Sequence, residues 1–315
     1  MLKALAKNLP HPLLLRLYHR YELHRQSTLA RIVSDRVGLP LLETLDLSQV
    51  KTSDTVFVLG SGWSINDISD RRWEIIARHD TIALNFWPLH SLVPRIYLFE
   101  NVNREEGYEL MFDTLQQLLC QQAGNYQNVI KIISELRPLG PRQLVLEIPE
   151  SFRPNLYLGR STAIVARSEQ EFIAGMRYLR RTGIFDPGNH IAWHFKYGSS
   201  VIAALSLAVR MHYRRIVLCG IDLGNADYFY HDATRYPEAS AWEFMSRTEP
   251  QVTAVRLAWR LSAQDVIYHF KQQVLDPAGI ELLVENRSSA LFPRVPQVSP
   301  QLFEQLATVD LGGQR

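Results

Sequence analysis

The sequence predicts an α/β protein built on a Rossmann-like, mostly parallel open sheet with helices on both faces. Short apolar runs such as residues 54–59 and 216–219 are typical of strands that are buried on both faces. Segments with apolar residues at helical spacing lie between these runs, as in residues 169–181. Small or polar residues follow several of the runs, which is where a parallel sheet of this kind binds its ligand.

Composition narrows the class of protein. The chain has 315 residues, of which 46% are hydrophobic and 21% charged, as expected for one large or two modest domains of a soluble enzyme. The net charge of +2 gives no reason to expect a nucleic-acid partner, and no apolar run approaches the roughly 18 residues that span a bilayer. Cys120 and Cys219 lie in apolar runs, which predicts two buried thiols in a reducing, cytoplasmic compartment.

Residues 1–50 are predicted to form a basic, amphipathic helical segment. Its apolar side chains group on one side of a helix: Leu13, Leu14, Leu17, Tyr18 and Tyr21. Arginine and histidine occupy the other side, and the segment lacks the compact apolar core and cleavage site of a secretory signal. Two interpretations stay open. The helix binds an anionic membrane, through residues 1–40 and peripheral to the inner membrane, or it packs on the domain with its charges solvated.

Residues 51–300 are predicted to form the Rossmann-like domain. Strands are expected at residues 54–59, 81–84, 95–99, 128–133, 143–148, 216–219 and 280–284. Helices are expected at residues 109–122, at 169–181, after residue 198 and at 249–270. Within the domain, residues 150–197 show no clear strand period and are predicted to form a lid or acceptor-side insertion. Residues 301–315 are predicted to be a C-terminal tail.

Polar residues at the strand ends are the first candidates for a binding site. The first strand stops at Gly60, Ser61, Gly62, Trp63 and Ser64. Two glycines let the backbone approach a phosphate or a ribose closely, although a simple tight turn needs them as well. The third glycine of the dinucleotide fingerprint is replaced by Ile65. The next two strands end at Asn85 and at Glu100 and Asn101, and the side-chain amides of Asn85 and Asn101 are expected to contact a base or a ribose.

A second group of candidates surrounds the predicted helix that opens at Gly198. Ser199 and Ser200 follow, and free backbone N–H groups at a helix N-terminus favour an anion. The strand after this helix ends at Gly220, Ile221 and Asp222, although an ordinary αβ unit of a core has the same form.

The loop after Asp222 carries Asp227, Tyr228, Tyr230, His231 and Asp232. Tyrosine hydroxyls there are expected to bind a leaving phosphate, and the histidine or a carboxylate to act as the base. The alternative is a surface loop whose tyrosines pack and whose histidine is solvated.

Five segments in this order resemble the bacterial lipooligosaccharide sialyltransferases and the Kdo transferases of lipopolysaccharide cores. They are VFVLGSGWSI, TIALNF, RIYLFEN, KYGSSVIAALSLAVRMHYRRIVLCGIDL and ELLVENRSSAL. The resemblance extends over residues 54–292 and leaves the middle of the chain unmatched. It implies a glycosyltransferase that moves a 3-deoxy-ulosonic acid, Kdo or sialic acid, from its CMP-activated donor to a bacterial surface glycan or glycolipid, as in lipopolysaccharide or capsule biosynthesis.

The resemblance also implies roles for residues. Gly60, Gly62 and Ser64 would lie near the phosphate and ribose, while the tyrosines would assist the departure of CMP. With the strand-end positions above, the expected donor-binding residues are Gly60, Ser61, Gly62, Trp63, Ser64, Asn85, Glu100, Asn101, Gly198, Ser199, Ser200, Gly220, Asp222, Tyr228, Tyr230, Asn286, Arg287, Ser288 and Ser289.

One departure from the family concerns the base. The sialyltransferases carry a histidine shortly before a long helix, where this chain has Ser246, Arg247, Thr248 and Glu249. The expected catalytic residues are therefore His231, Asp222, Asp232 and Glu249, and the departure favours Kdo transfer.

No metal or other cofactor is expected, because the chain has no Asp-x-Asp pair and a CMP donor leaves as a monophosphate. Two alternatives remain: a magnesium-dependent pyrophosphokinase or motility-associated flagellin-glycosylation protein, and a non-catalytic nucleotide-binding scaffold.

Overall fold

A computed structural model describes residues 9–102, 109–134, 136, 142–186, 193–224, 227–237, 239, 252–253 and 261–308. Its centre is a parallel sheet of seven strands. They are β1 (Thr55–Leu59), β2 (Asp80–Leu84), β3 (Ile96–Glu100), β4 (Ile130–Ser134), β5 (Leu156–Leu158), β8 (Arg215–Cys219) and β11 (Glu281–Val284). Two short pairs complete the strands: β6 (Arg160–Thr162) with β7 (Trp193–Phe195), and β9 (Val252–Thr253) with β10 (Leu261–Ser262).

The strand order of the sheet is β11-β8-β1-β2-β3-β4-β5, and every neighbouring pair is parallel. Within the sheet, the chain passes first through β1 and then outward to β5. It returns on the other side of β1 with β8 and β11. The order therefore reverses between β1 and β8. In sheets of this kind the ligand crevice lies beyond the carboxyl ends of the strands at such a switch point.

The helices cover both faces of the sheet, as predicted. They are α1 (His11–Val37), α2 (Asp70–Arg78), α3 (Glu109–Gln121), α4 (Leu144–Glu147), α5 (Glu169–Arg181), α6 (Ser200–Arg210), α7 (Ala263–Phe270) and α8 (Pro300–Thr308). Alternate residues of a strand point to opposite faces. Val56 and Val58 of β1 belong to one apolar core with α5, α6 and α7, whereas Phe57 and Leu59 belong to a second core with α2, α3 and α8.

Helix α1 packs along the domain with one face and leaves the other in solvent. Ala30 and Val33 are fully buried, and Gln26 Nε2 donates to the carbonyl of Leu136 at 3.2 Å. Leu13, Leu17 and Tyr21 are about half exposed, at 46, 50 and 54%. Packing on the domain and contact with a membrane are thus compatible, because one face of the helix is buried while a different, apolar face lies in solvent. None of the helices within the described residues is long and apolar enough to cross a membrane.

Two predicted elements are wrong. Residues 143–148 contain the short helix α4 instead of a strand, because an apolar run of this length does not distinguish the two. The long helix expected at residues 249–270 is replaced in its described part by β9, β10 and the shorter helix α7. Ser262 starts α7, since its hydroxyl accepts a hydrogen bond from the backbone N–H of Asp265 at 3.1 Å.

Three further expectations need correction. Strand β5, inside the expected insertion at residues 150–197, is the outer strand of the main sheet. The expected tail at residues 301–315 begins inside α8, which buries Phe303 and Leu306 against the second core. Cys219 is buried as predicted, but Cys120 is exposed on α3, and both thiols are free.

Candidate active site at the carboxyl edge of the sheet

The loops that follow β1 and β8 contact each other directly at the switch point. The backbone N–H of Gly60 donates to the carbonyl of Cys219, and that of Gly62 donates to the carbonyl of Gly220, both at 2.8 Å. The ladder between the two strands is thereby extended beyond their ends. The contact fixes the position of the first loop relative to the second.

This contact requires glycine at three positions. A Cβ atom on Gly60 would lie 2.6 Å from the carbonyl oxygen of Gly220, and one on Gly62 would lie 2.5 Å from Oδ2 of Asp222. Gly220 also has a φ of +64°, a conformation that favours glycine. The predicted close approach at these glycines is therefore made by the chain's own loops. Whether their backbone also faces a phosphate stays a prediction.

Asp222 anchors the first loop. Its Oδ2 accepts a hydrogen bond from the backbone N–H of Ser64 at 2.9 Å, and its Oδ1 accepts one from the Ser64 hydroxyl at 2.5 Å. Burial raises the pKa of the Asp222 carboxyl, and the hydrogen bonds from Ser64 act in the opposite direction. With both oxygens bonded to Ser64 and only 4% of the residue exposed, Asp222 positions the loop.

The loop after β11 joins the same edge. The Ser289 hydroxyl donates to the carbonyl of Ile221 at 2.6 Å, and the carbonyl of Asp222 accepts the backbone N–H of Ala290 at 2.8 Å. Asn286 Oδ1 accepts the N–H of Ser288 at 3.0 Å, which closes the turn. Arg287, also predicted to bind the donor, is exposed and bonds to Gln297 at 2.8 Å.

The aromatic loop after β8 lies against the loops after β1 and β2. The backbone N–H of Phe229 donates to the carbonyl of Ser61 at 3.0 Å. The rings of Tyr228 and Tyr230 are stacked at 5.1 Å, and Tyr230 contacts Phe86, the residue after Asn85, at 6.1 Å. Tyr230 is only 1% exposed, so of the two predicted tyrosines Tyr228 is the one that reaches solvent.

His231 is arranged as a hydrogen-bond donor. The backbone N–H of Tyr228 lies 3.3 Å from its Nδ1, which assigns the acceptor role to Nδ1 and the proton of the neutral ring to Nε2. Nε2 is buried and has no partner in the described part of the chain. Since the Nδ1 lone pair is engaged, the geometry opposes the expectation that His231 is the base.

Of the other two expected bases, Asp232 lies in the described part of the chain. Asp232 Oδ1 accepts the backbone N–H groups of Thr234 and Arg235, at 3.0 and 3.4 Å, and so closes the following turn. Glu249 lies outside the described residues.

A second polar cluster lies at the ends of β2 and β3, where α6 begins. Glu100 Oε1 accepts a hydrogen bond from the Ser200 hydroxyl and lies 3.0 Å from Lys196 Nζ. Asn85, which adopts a positive φ of 51°, has its side-chain amide 3.5 Å from the Ser200 hydroxyl. Ser199 starts the helix by accepting the N–H of Val201 at 3.3 Å. The cluster thus combines a cation, a hydroxyl and a helix N-terminus.

Asn101 turns away from this cluster. Its Oδ1 accepts the backbone N–H of Val145 at 3.1 Å, and its Nδ2 donates to Gln143 at 3.2 Å. With 2% exposure, Asn101 holds the segment that leads into α4. Lys196 was not among the residues predicted from the sequence to belong to the site. The feature that could have indicated it is a lysine two residues before the Gly198 turn.

The concave regions found away from the carboxyl edge are not lined by the candidate site residues. Two concavities of about 400 and 440 Å³ lie elsewhere: one at the amino ends of β2 to β4, the other beside His90 and Tyr236. In the described ranges, no group of three or more His, Cys, Asp or Glu side chains is arranged to hold a metal ion.

Solved structures that are similar to this chain include sialyltransferases. No protein-family model matches the chain, and no curated protein matches it. Among solved structures, the monofunctional α-2,3-sialyltransferase Cst-I from Campylobacter jejuni is 17% identical with a TM-score of 0.44, covering 78% of this chain and 81% of its own.

Two structures of the sialyltransferase Cst-II are also similar. A variant in complex with CMP is 14% identical with a TM-score of 0.42, covering 79% of this chain and 87% of that one. Cst-II from Campylobacter jejuni with the substrate analogue cytidine-5′-monophosphate is 14% identical with a TM-score of 0.37, covering 79% and 86%. All three are sialyltransferases by name.

The contact between the loops predicts the effect of a Gly62→Ala substitution. The added methyl group meets Asp222 and the carbonyl of Gly220, so we expect the free energy of unfolding to fall by about 1–3 kcal/mol. Urea denaturation of the full chain measures it. The matched control is Gly124→Ala, whose Cβ meets nothing within 4 Å. Equal stability of the two variants would contradict the described contact.

Proposed function

We propose that this protein is a glycosyltransferase that moves a 3-deoxy-ulosonic acid from its CMP-activated donor to a bacterial surface glycan or glycolipid. One observation carries the proposal. Segments that resemble the CMP-sugar transferases are scattered over residues 54–292, yet the described chain brings most of them to one edge of one sheet. The segments at residues 60–64 and 286–289 are each hydrogen-bonded to residues 220–222, and Asn85, Glu100 and Ser200 form a second cluster.

The chemistry of this edge suits a monophosphate leaving group. A CMP donor carries a phosphate and, on its sugar, a carboxylate, and both anions need hydrogen-bond donors. Lys196, the N-terminus of α6 and the Tyr228 hydroxyl would supply such donors without a metal ion. We therefore propose a metal-independent reaction in which this set stabilises the departing CMP.

A thermal-shift titration of the full chain tests the nucleotide specificity. We expect CMP to raise the midpoint of unfolding, with EDTA present as well as without it, because a ligand that binds only the native state stabilises that state. At a CMP concentration of about 100 Kd, the stabilisation amounts to about 2.7 kcal/mol. UDP, GDP and ATP are the matched controls. A shift that requires ATP or UDP together with magnesium would contradict the proposal and favour the kinase alternative.

We further propose that the protein contacts an anionic membrane through the solvent face of α1. Leu13, Leu17 and Tyr21 recur every four residues and form one apolar stripe on that face. Arg16 and Arg20 flank the stripe and are exposed. An amphipathic helix of this pattern lies in the plane of a lipid interface, and a basic residue near an anionic surface contributes about 1 kcal/mol.

The charge distribution of α1 supports this partner. Among residues 9–34 the one acidic residue is Glu22, which is buried and paired with Arg25 at 2.7 Å. The helix also lies close to the candidate site. The His19 ring is 3.5 Å from the Thr162 hydroxyl, and the carbonyl of Thr162 accepts the backbone N–H of Lys196 at 2.9 Å. A lipid-linked acceptor at the membrane would then be near the crevice.

Substitution of the stripe tests the membrane contact without unfolding the protein. The triple variant Leu13→Ser, Leu17→Ser and Tyr21→Ser is expected to bind vesicles that contain anionic lipid at least about tenfold more weakly than the parent chain. Co-sedimentation with the vesicles measures the binding. Removal of residues 1–40 is unsuitable, because the other face of α1 is part of the core.

The matched control is Leu110→Ser, a leucine that is 54% exposed on α3 and is expected to leave binding unchanged. If the triple variant binds anionic vesicles as well as the parent chain does, the membrane contact is excluded. If the parent chain binds neutral and anionic vesicles equally, the role of the arginines is excluded.

A further inference from the structure

The carboxylate of Glu100 is held by one oxygen and free at the other. Oε1 accepts the hydroxyl hydrogen of Ser200 and pairs with Lys196 Nζ at 3.0 Å. Oε2 has no hydrogen-bond partner among the residues that the structure describes. The side chain of Glu100 is 34% exposed, whereas that of Lys196 is 11% exposed. The carboxylate is therefore held in one orientation, with a lone pair directed away from both partners.

Among the described residues expected to act as bases, Asp222, His231 and Asp232 use acceptor atoms for hydrogen bonds within the protein. Both oxygens of Asp222 accept hydrogen bonds from Ser64. Nδ1 of His231 is engaged by a backbone N–H, and Asp232 closes its own turn. Of the expected site residues that the structure describes, Glu100 is thus the one with an ionisable acceptor atom that is both oriented and unoccupied.

A chain of contacts links Glu100 to the aromatic loop after β8. Glu100 ends β3 and contacts Ser200, which lies 3.5 Å from Asn85. Phe86, which follows Asn85 in the chain, contacts the ring of Tyr230. The chain of contacts thus runs from Glu100 to Tyr230, whose ring is stacked on that of Tyr228, so both groups lie at the same edge of the sheet.

We propose that Glu100 is the general base that activates the acceptor hydroxyl, with Lys196 and Ser200 as positioning residues. The inference rests on the proposed function. The acceptor O–H proton moves to Glu100 Oε2 while the acceptor oxygen forms a bond to the anomeric carbon of the donor sugar. The bond from that carbon to the phosphate oxygen breaks, and its electron pair leaves with CMP. A single displacement of this kind inverts the anomeric configuration.

The test compares an acceptor that must lose a proton with one that need not. Azide is an anion and attacks the anomeric carbon without a base. Glu100→Gln keeps the size of the side chain and an oxygen for the Ser200 hydroxyl. We expect this variant to transfer sugar to a glycan hydroxyl about 10²–10⁴-fold more slowly than the parent chain. CMP release with azide as the acceptor is expected to remain within about threefold of the parent rate.

Two further readouts accompany the rates. The loss of transfer rate at low pH that protonation of a base causes is expected in the parent chain and absent from the residual activity of Glu100→Gln. CMP binding by Glu100→Gln is expected to match that of the parent chain, which shows that the variant is folded. Glu74→Gln, an exposed glutamate on α2, is the matched control and is expected to retain full transfer.

Each outcome decides between the proposals. Equal loss of the azide and the transfer reactions would overturn the base role and assign Glu100 to donor binding or to folding. Unchanged transfer by Glu100→Gln, or a product with retained anomeric configuration, would overturn it as well. A parent chain that releases CMP from neither CMP-Kdo nor CMP-sialic acid, with azide or with a glycan, would instead overturn the proposed function.

Discussion

The direct contact between the loops after β1 and β8 is the constraint on which the candidate site depends. It exists because Gly60, Gly62 and Gly220 carry no side chain where the two backbones meet. Asp222 then bonds to Ser64 across the contact, and Ser289 attaches the loop after β11 to the same place. The ends of three strands that are far apart in the chain are thereby held together. Hydrogen-bond donors on these loops are then in position before a ligand binds, as preorganised stabilisation of charge requires.

The candidate site consists of two groups of residues, one on the β8 side of the sheet edge and one on the β3 side. On the β8 side, the aromatic loop carries Tyr228, which reaches solvent and which we propose to face the departing phosphate. On the β3 side, Lys196 and the start of α6 hold the Glu100 carboxylate. Because parallel strands all point to this edge, both groups lie at the place where sheets of this kind bind their ligands.

The sequence predicted the sheet well and the irregular regions poorly. Strands such as β1 and β8 are fully buried on both faces, so their apolar runs are distinctive. The run that became α4 is equally apolar but is fixed by a tertiary hydrogen bond from Val145 to Asn101, which no local pattern encodes. In the site, the residues were predictable as strand-end polar groups. The tautomer of His231 and the pairing of Glu100 with Lys196 depend on which atoms meet in space.

Helix α1 shows that one element can serve the core and a surface at once, and its position beside β6 relates the proposed membrane contact to the site. The central claim remains the chemistry at the carboxyl edge. The measurement that tests it most directly is the release of CMP from CMP-Kdo and from CMP-sialic acid by the purified full chain in EDTA. The account predicts release above the enzyme-free rate from at least one donor. Consumption of neither, together with magnesium-dependent turnover of ATP or a UDP-sugar, would contradict it.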